Sequence, residues 1–171
     1  MEKHTNDTAP HYRVLFVCLG NICRSPAAEG IMRHLLRERG LTDRMEVDSA
    51  GFYGGHAGSL PDPRMRAHAA RRGYLLEHHA RCIGAGDFER FDLVIGMDDA
   101  NIDDLRELAP DLAASSKIHR MTEYCRNYPH DHVPDPYYSG ADGFELVLNL
   151  LEDACAGLLE TLFPDSSCTK D

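Results

Sequence analysis

The chain has 171 residues, 43% of them hydrophobic, enough to close one core and most simply one domain. A formal net charge of -10 excludes the broad basic face that nucleic-acid binding needs, and no apolar run is long enough to cross a membrane. Six cysteines at irregular spacing, behind an N-terminal stretch with no apolar signal core, read as the reduced thiols of a cytoplasmic protein rather than a disulfide framework.

Residues 1–11 are polar and read as a disordered tail, residues 12–164 as one folded domain, and residues 165–171 as a second tail. A strand is expected over Arg13–Val17. Ala28, Ile31, Met32 and Leu35 then form a helical stripe in Pro26–Arg39, which Gly40 stops. Met45–Ser49 reads as a second strand, followed by a loop rich in glycine from Ala50 to Gly58. Asp62 and Pro63 start a helix that runs to Arg72 and ends at Gly73; the segment Tyr74–Ile83 is expected to be irregular.

Phe91–Gly96 is the next strand, and Asp98, Asp99 and Asn101 open a helix to Leu108 that Pro110 closes. Lys117–Arg120 reads as a short strand. The two prolines of Val133–Pro136 forbid helix and central strand, which suits a stiff loop that aims one side chain. Phe144, Val147, Leu148, Leu151, Cys155, Leu158 and Leu162 mark a last helix reaching Phe163. Strands alternating with helices predict an α/β fold, a parallel sheet with helices on both faces, and ligands bind such sheets at the carboxyl ends of the strands.

Cys18 stands at one such end. The loop from Cys18 to Arg24 joins a buried strand to a helix start, so its N–H groups have no ladder partner and lie over the positive end of a helix dipole. Such a loop cradles an oxyanion and stabilises the thiolate form of Cys18, the form that attacks. Arg24 closes the loop with a guanidinium that can fork two oxygens of a tetrahedral anion. Gly20 and Asn21 tolerate a left-handed backbone within it. No paired ligand spacing for a metal is present, so the expected chemistry uses neither metal nor other cofactor.

Val17-Cys18-Leu19-Gly20-Asn21-Ile22-Cys23-Arg24-Ser25-Pro26 closely resembles the phosphate loop of the low-molecular-weight protein tyrosine phosphatases. Asp135-Pro136-Tyr137-Tyr138 resembles that family's general-acid loop, and the likeness spans residues 12 to 163. The resemblance implies a four-stranded sheet in the order 2-1-3-4. It implies a phosphocysteine on Cys18, a phosphate held by Arg24 and the amides of Leu19, Gly20, Asn21, Ile22 and Cys23, and Asp135 as acid and then base. Asn21, Ser25, Ser49 and His78 would support the loop, with Ser25 read as a helix cap, as a donor to the leaving sulfur, or as both. Leu19, Gly55, His56, Tyr137 and Tyr138 would line the pocket of a monomer acting on phosphotyrosine proteins or small aryl phosphates, with no nucleic-acid or membrane partner. Many relatives carry a tryptophan where Gly55 stands, so one wall lacks a large ring unless Phe52, Tyr53 or His56 turns in.

Two rival readings share the motif. A thioredoxin-linked arsenate reductase uses the same fold and loop but needs two further cysteines in relay; Cys82 lies near the third strand, and the next cysteine is Cys125. A non-catalytic phosphotyrosine-binding module would have no use for Cys18, Arg24 and Asp135 together. Cys23, a second thiol inside the loop, also suggests a reversible disulfide with Cys18, because a loop curled round a phosphate brings its ends together.

Overall fold

Tyr12–Cys18 forms β1, and its last five residues are all buried, as expected for a strand covered on both faces. The computed structural model describes residues 10–164. The tail at 165–171, with the sixth cysteine, and residues 1–9 of the other expected tail lie outside them. β1 pairs in parallel with β2 (Met45–Gly51) on one side and β3 (Leu93–Gly96) on the other, and β3 pairs with β4 (Ile118–Arg120), giving the order β2-β1-β3-β4. The register sets Cys18 beside Gly51 and Val17 beside both Ala50 and Gly96, so three strands end at one edge.

Alternation along β1 divides the core. Val14 and Phe16 face the first layer, built by α1 (Arg24–Glu38), α2 (Pro63–Arg71) and, later in the chain, the long helix Ala141–Leu162. Leu15 and Val17 face the second, where Phe88 from α3 (Asp87–Arg90), Ile102 and Leu105 from α4 (Asp99–Leu108) and Ala114 from α5 (Leu112–Ser115) pack; the long helix is thus α6. The α/β fold, the parallel sheet and its strand order agree with expectation. Among the described residues no helix is long and apolar enough to cross a membrane.

The differences fall at element ends. α1 begins at Arg24, two residues before the expected Pro26, because proline is tolerated in the first turn, where its missing N–H would be unpaired in any case. At its other end Gly40 takes φ 66°, and the Gly40 and Leu41 N–H groups donate to the Arg37 and Leu36 carbonyls, a left-handed stop. β2 runs on to Gly51 rather than Ser49. β3 starts at Leu93 rather than Phe91, whose ring is buried in the second layer after α3. The short helices α3 and α5 and the single turns Thr42–Arg44, Gly54–His56 and Met121–Tyr124 carry too few residues to show a period in the sequence.

Candidate active site

At the carboxyl edge of the sheet the chain leaves β1 and passes through residues 19–23 before α1 begins. Gly51 makes this crossing possible. A Cβ there would stand 2.8 Å from Asn21 N and from Leu19 O, so a side chain on β2 would push the loop away. The Leu19 carbonyl accepts from the N–H groups of Phe52 and Tyr53, both at 2.8 Å, which pins the loop from below. Among the described residues, nothing accepts from the N–H groups of Gly20, Asn21, Ile22 or Cys23. Four adjacent donors without a partner form the kind of cradle an oxyanion fills.

Asn21 sets the loop's shape. It is the one non-glycine residue with positive φ among those described, at 54°, and its side-chain amide is fully used. Oδ1 accepts from His78 Nε2 at 2.9 Å and from the Arg81 N–H at 3.0 Å; Nδ2 donates to Ser25 Oγ at 2.8 Å and to Ser49 Oγ at 3.0 Å. These four bonds offset the cost of a left-handed residue. Because Ser25 Oγ accepts from Asn21, its own proton is free for the Cys18 sulfur at 3.0 Å, or more weakly for the Ala50 carbonyl at 3.4 Å. Ser25 therefore does not cap α1, where Cys23 stands as the capping residue without a side-chain bond. Of its two expected readings, the donor to sulfur is the one the geometry supports.

A further layer fixes the first. Ser49 donates to Glu29 Oε1 at 3.0 Å, and His78 Nδ1 faces Glu29 Oε1 at 3.2 Å and Asp48 Oδ1 at 3.5 Å. Burial pushes the Glu29 carboxyl up, but His78, Arg33 and Ser49 outweigh it and hold it below the ordinary range. Glu29, Asp48 and His78 bring ligand-type atoms within 4.8 Å of one another, yet each is already engaged in this network. Arg81 ties Asp48 to Asp87 and so anchors the segment expected to be irregular.

Arg24 is 2% exposed and Cys18 likewise 2%. Arg24 Nη1 donates to Asp98 Oδ2 at 2.6 Å and to the Val133 carbonyl at 3.0 Å, while Nη2 faces Asp135 Oδ2 at 3.7 Å. Burial works against its charge, but Cys18, Asp98 and Asp135 more than compensate, so its pKa is raised. Asp98 was legible only as a helix start. It does cap α4, accepting from the Asn101 N–H through Oδ1, and its other oxygen holds the guanidinium. The Asp135 carboxyl accepts from the Tyr137 N–H at 3.1 Å, a turn its flanking prolines stiffen.

These groups open into a cavity of about 320 Å³ lined by Cys18, Leu19, Gly20, Ile22, Cys23, Arg24, Tyr53, His56, Asp135, Tyr137 and Tyr138. Gly55, expected in the lining, is not part of it: a Cβ at residue 55 would overlap the Tyr53 ring. Tyr53 thus stands where a bulky side chain at 55 would go, and it packs edge-on to His56 at 5.1 Å between centroids. His56 lies against the loop, where a Cβ on Gly20 would be 3.3 Å from its ring, and reaches Tyr137 at 6.4 Å. Burial, with Asp62, Cys18 and Asp135 nearby, pushes the Cys23 thiol far up.

Known proteins share this sequence pattern and fold. Residues 13–167 match the family model described as low molecular weight phosphotyrosine protein phosphatase. A low molecular weight protein-tyrosine-phosphatase of Streptomyces coelicolor is 45% identical over 150 residues, covering 86% of this chain and 92% of its own. The crystal structure of a protein tyrosine phosphatase from Entamoeba histolytica, with Hepes in its active site, superposes with a TM-score of 0.86 at 41% identity over 88% of this chain and 96% of that one. A Drosophila arginine phosphatase superposes with a TM-score of 0.83 at 34% identity over 89% and 98%. With family, fold and loop in agreement, the chain belongs to the low molecular weight phosphotyrosine protein phosphatases and is a protein-tyrosine-phosphatase.

Proposed function

We propose that the enzyme hydrolyses phosphotyrosine in two displacements, with Cys18 as nucleophile and Asp135 as acid and then base. The observation that carries the reading is one cavity lined by Cys18, the buried Arg24, Asp135 and the loop residues Gly20, Ile22 and Cys23, whose amides have no partner among the described residues. In the first step the thiolate attacks phosphorus, the bond to the phenolic oxygen breaks, and Asp135 gives its proton to the leaving phenolate. In the second, the Asp135 carboxylate takes a proton from water, the water oxygen bonds to phosphorus, and the P–S bond breaks with the electrons returning to sulfur. The Ser25 hydroxyl stabilises the thiolate in both directions. Arg24 and the amides of Leu19, Gly20, Asn21, Ile22 and Cys23 hold the equatorial oxygens, so most of the acceleration is positioning and preorganised electrostatics.

Tyr53, His56, Tyr137 and Tyr138 flank the opening with aromatic edges and support preference for an aryl ester over a shorter alkyl one. The likeness to an arginine phosphatase makes phosphoarginine the comparison to run beside phosphotyrosine and phosphoserine. For an arsenate-reductase relay the geometry offers little: the Cys125 thiol turns to the Leu150 carbonyl on α6, and Cys82 is exposed beside the Gly54 turn. Cys18 and Cys23 line the same cavity from opposite ends of the loop, which supports a reversible bridge between them. The free thiols fit a reducing, cytoplasmic setting. The test is turnover of matched phosphotyrosine, phosphoserine and phosphoarginine peptides by wild type and Cys18→Ser. Phosphotyrosine should be preferred and the variant inactive; equal rates on all three, or an active variant, would contradict the reading.

A further inference from the structure

Asp135 does not hold its own place. Its Oδ1 accepts from the N–H of Tyr137, and the carbonyl of the same Tyr137 accepts from Arg64 Nη2 at 2.9 Å. Arg64 is itself fixed. Its Nε donates to Asp62 Oδ1 at 3.1 Å and its Nη2 to Asp62 Oδ2 at 2.9 Å, a fork on a carboxylate that is 8% exposed. The guanidinium also lies over the rings of Phe144 and Tyr137, at 4.9 and 5.5 Å from their centroids. Asp62 in turn caps α2 and donates its backbone N–H to the Ile22 carbonyl of the phosphate loop at 2.8 Å.

The chain of contacts runs from the loop that holds the phosphate, through Asp62 and Arg64, to the peptide that holds the acid. We infer that Arg64 is a positioning residue for Asp135, fixing the distance between the proton donor and the phosphorus without touching substrate. The inference rests on Asp135 being the proton donor. Lysine can take over only in part: it offers a point charge in place of a planar fork that binds Asp62 and the Tyr137 carbonyl together. Misplacing a catalytic group by about 1 Å costs on the order of a hundredfold, which sets the upper end of the expected effect.

A residue acting through the acid leaves a signature that general destabilisation does not. The experiment measures kcat/KM, which reports the first displacement, on phenyl phosphate and on p-nitrophenyl phosphate, whose leaving group needs little protonation. It uses wild type, Arg64→Met, Arg64→Lys, Asp135→Asn and the double variant Arg64→Met/Asp135→Asn. Inorganic phosphate inhibition serves as the control for an intact loop. Arg64→Met should lose roughly tenfold to a hundredfold on phenyl phosphate and far less on the nitrophenyl ester, with phosphate inhibition unchanged. Arg64→Lys should fall between, and Arg64→Met should cost nothing further once Asp135 is Asn. Equal losses on both esters, or losses that add in the double variant, would overturn the role of Arg64 while leaving Asp135 as the acid. If Asp135→Asn itself is indifferent to the leaving group, the acid assignment falls and the inference falls with it.

Discussion

Arg24 Nη1 and Asp98 Oδ2 meet at 2.6 Å, and the aspartate that holds the guanidinium also caps α4 with its other oxygen. The two tasks can be separated. Asp98→Ser keeps a capping oxygen but is too short to reach Arg24, whereas Asp98→Ala loses both. Asp98→Ser should keep the cap, lose about 1.5–3 kcal/mol for the missing bond to a buried guanidinium, and turn over roughly tenfold more slowly as the oxyanion clamp loosens. Asp98→Ala should lose the same activity and a further ~1 kcal/mol of stability. Urea melts beside kcat/KM decide the matter; equal stability in both variants would show that the cap contributes little.

Tyr53 replaces a wall that the residue at 55 does not provide. Tyr53→Ala should raise KM for aryl phosphates more than it lowers kcat, because a ring lining the cavity would meet the part of the substrate that does not react. Gly55→Trp alone forces Tyr53 aside and should weaken peptide binding. Paired with Tyr53→Ala, the tryptophan gains room and affinity should recover. A double variant no better than either single one would show that the two rings do not compete for one place.

Glu29 should give the fold an acid-sensitive contribution. Its folded pKa lies below the ordinary value of about 4.3, so the unfolded chain binds more protons between those two values and stability rises with pH there. The contribution is complete above roughly pH 4.3 and is lost as pH falls through the folded value. Glu29→Gln should therefore cost about 1.5–3 kcal/mol at neutral pH, the scale of bonds to a charged group, with the difference from wild type shrinking as the medium is acidified through that window. Denaturant melts across the range check it; a constant difference would mean that the glutamate acts by shape alone.

Much of this was readable beforehand where local rules and tertiary demands coincide. The β1-to-α1 loop was legible because a buried apolar run, a glycine, an asparagine and a helix start leave a strand-to-helix turn as the simplest outcome, and the acid loop because its prolines permit little else. Asp98 was half legible: the helix-start signal hid its second oxygen's task, which only the packing of α4 against Arg24 reveals. Gly51 looked like one glycine of a loop, though it is required there because a Cβ would stand 2.8 Å from the Leu19 and Asn21 backbone. Glu29 gave a signal that went unread, a carboxylate between Ala28 and Gly30 on the buried side of α1. Arg64 could not be inferred at all, since its partner Tyr137 is 73 residues away and offers a carbonyl rather than a side chain.

The bridge proposed between Cys18 and Cys23 predicts protection from lasting oxidation. Peroxide should convert the Cys18 thiolate to a sulfenic acid, and the Cys23 thiol should displace water from it to form a disulfide that dithiothreitol reverses. Burial, with Asp62 nearby, pushes the Cys23 thiol up, so Cys18 is the sulfur expected to meet peroxide first. Wild type should recover nearly fully after mild oxidation and Cys23→Ser only in part, with a Cys18–Cys23 bridge found by peptide mapping in wild type alone. Equal recovery without that bridge would count against the switch.

If one cavity supplies a covalent nucleophile and a single carboxyl acting in both steps, acid-quench mass spectrometry during turnover of p-nitrophenyl phosphate by Asp135→Asn should catch the intermediate. The activated leaving group lets the first step proceed without the acid, while the second lacks its base. A phosphoryl group should accumulate on Cys18, one per enzyme, with a matching burst of nitrophenolate, and no adduct should form in the variant that also carries Cys18→Ser. Turnover without a phosphoenzyme, or an adduct on another residue, would contradict the account.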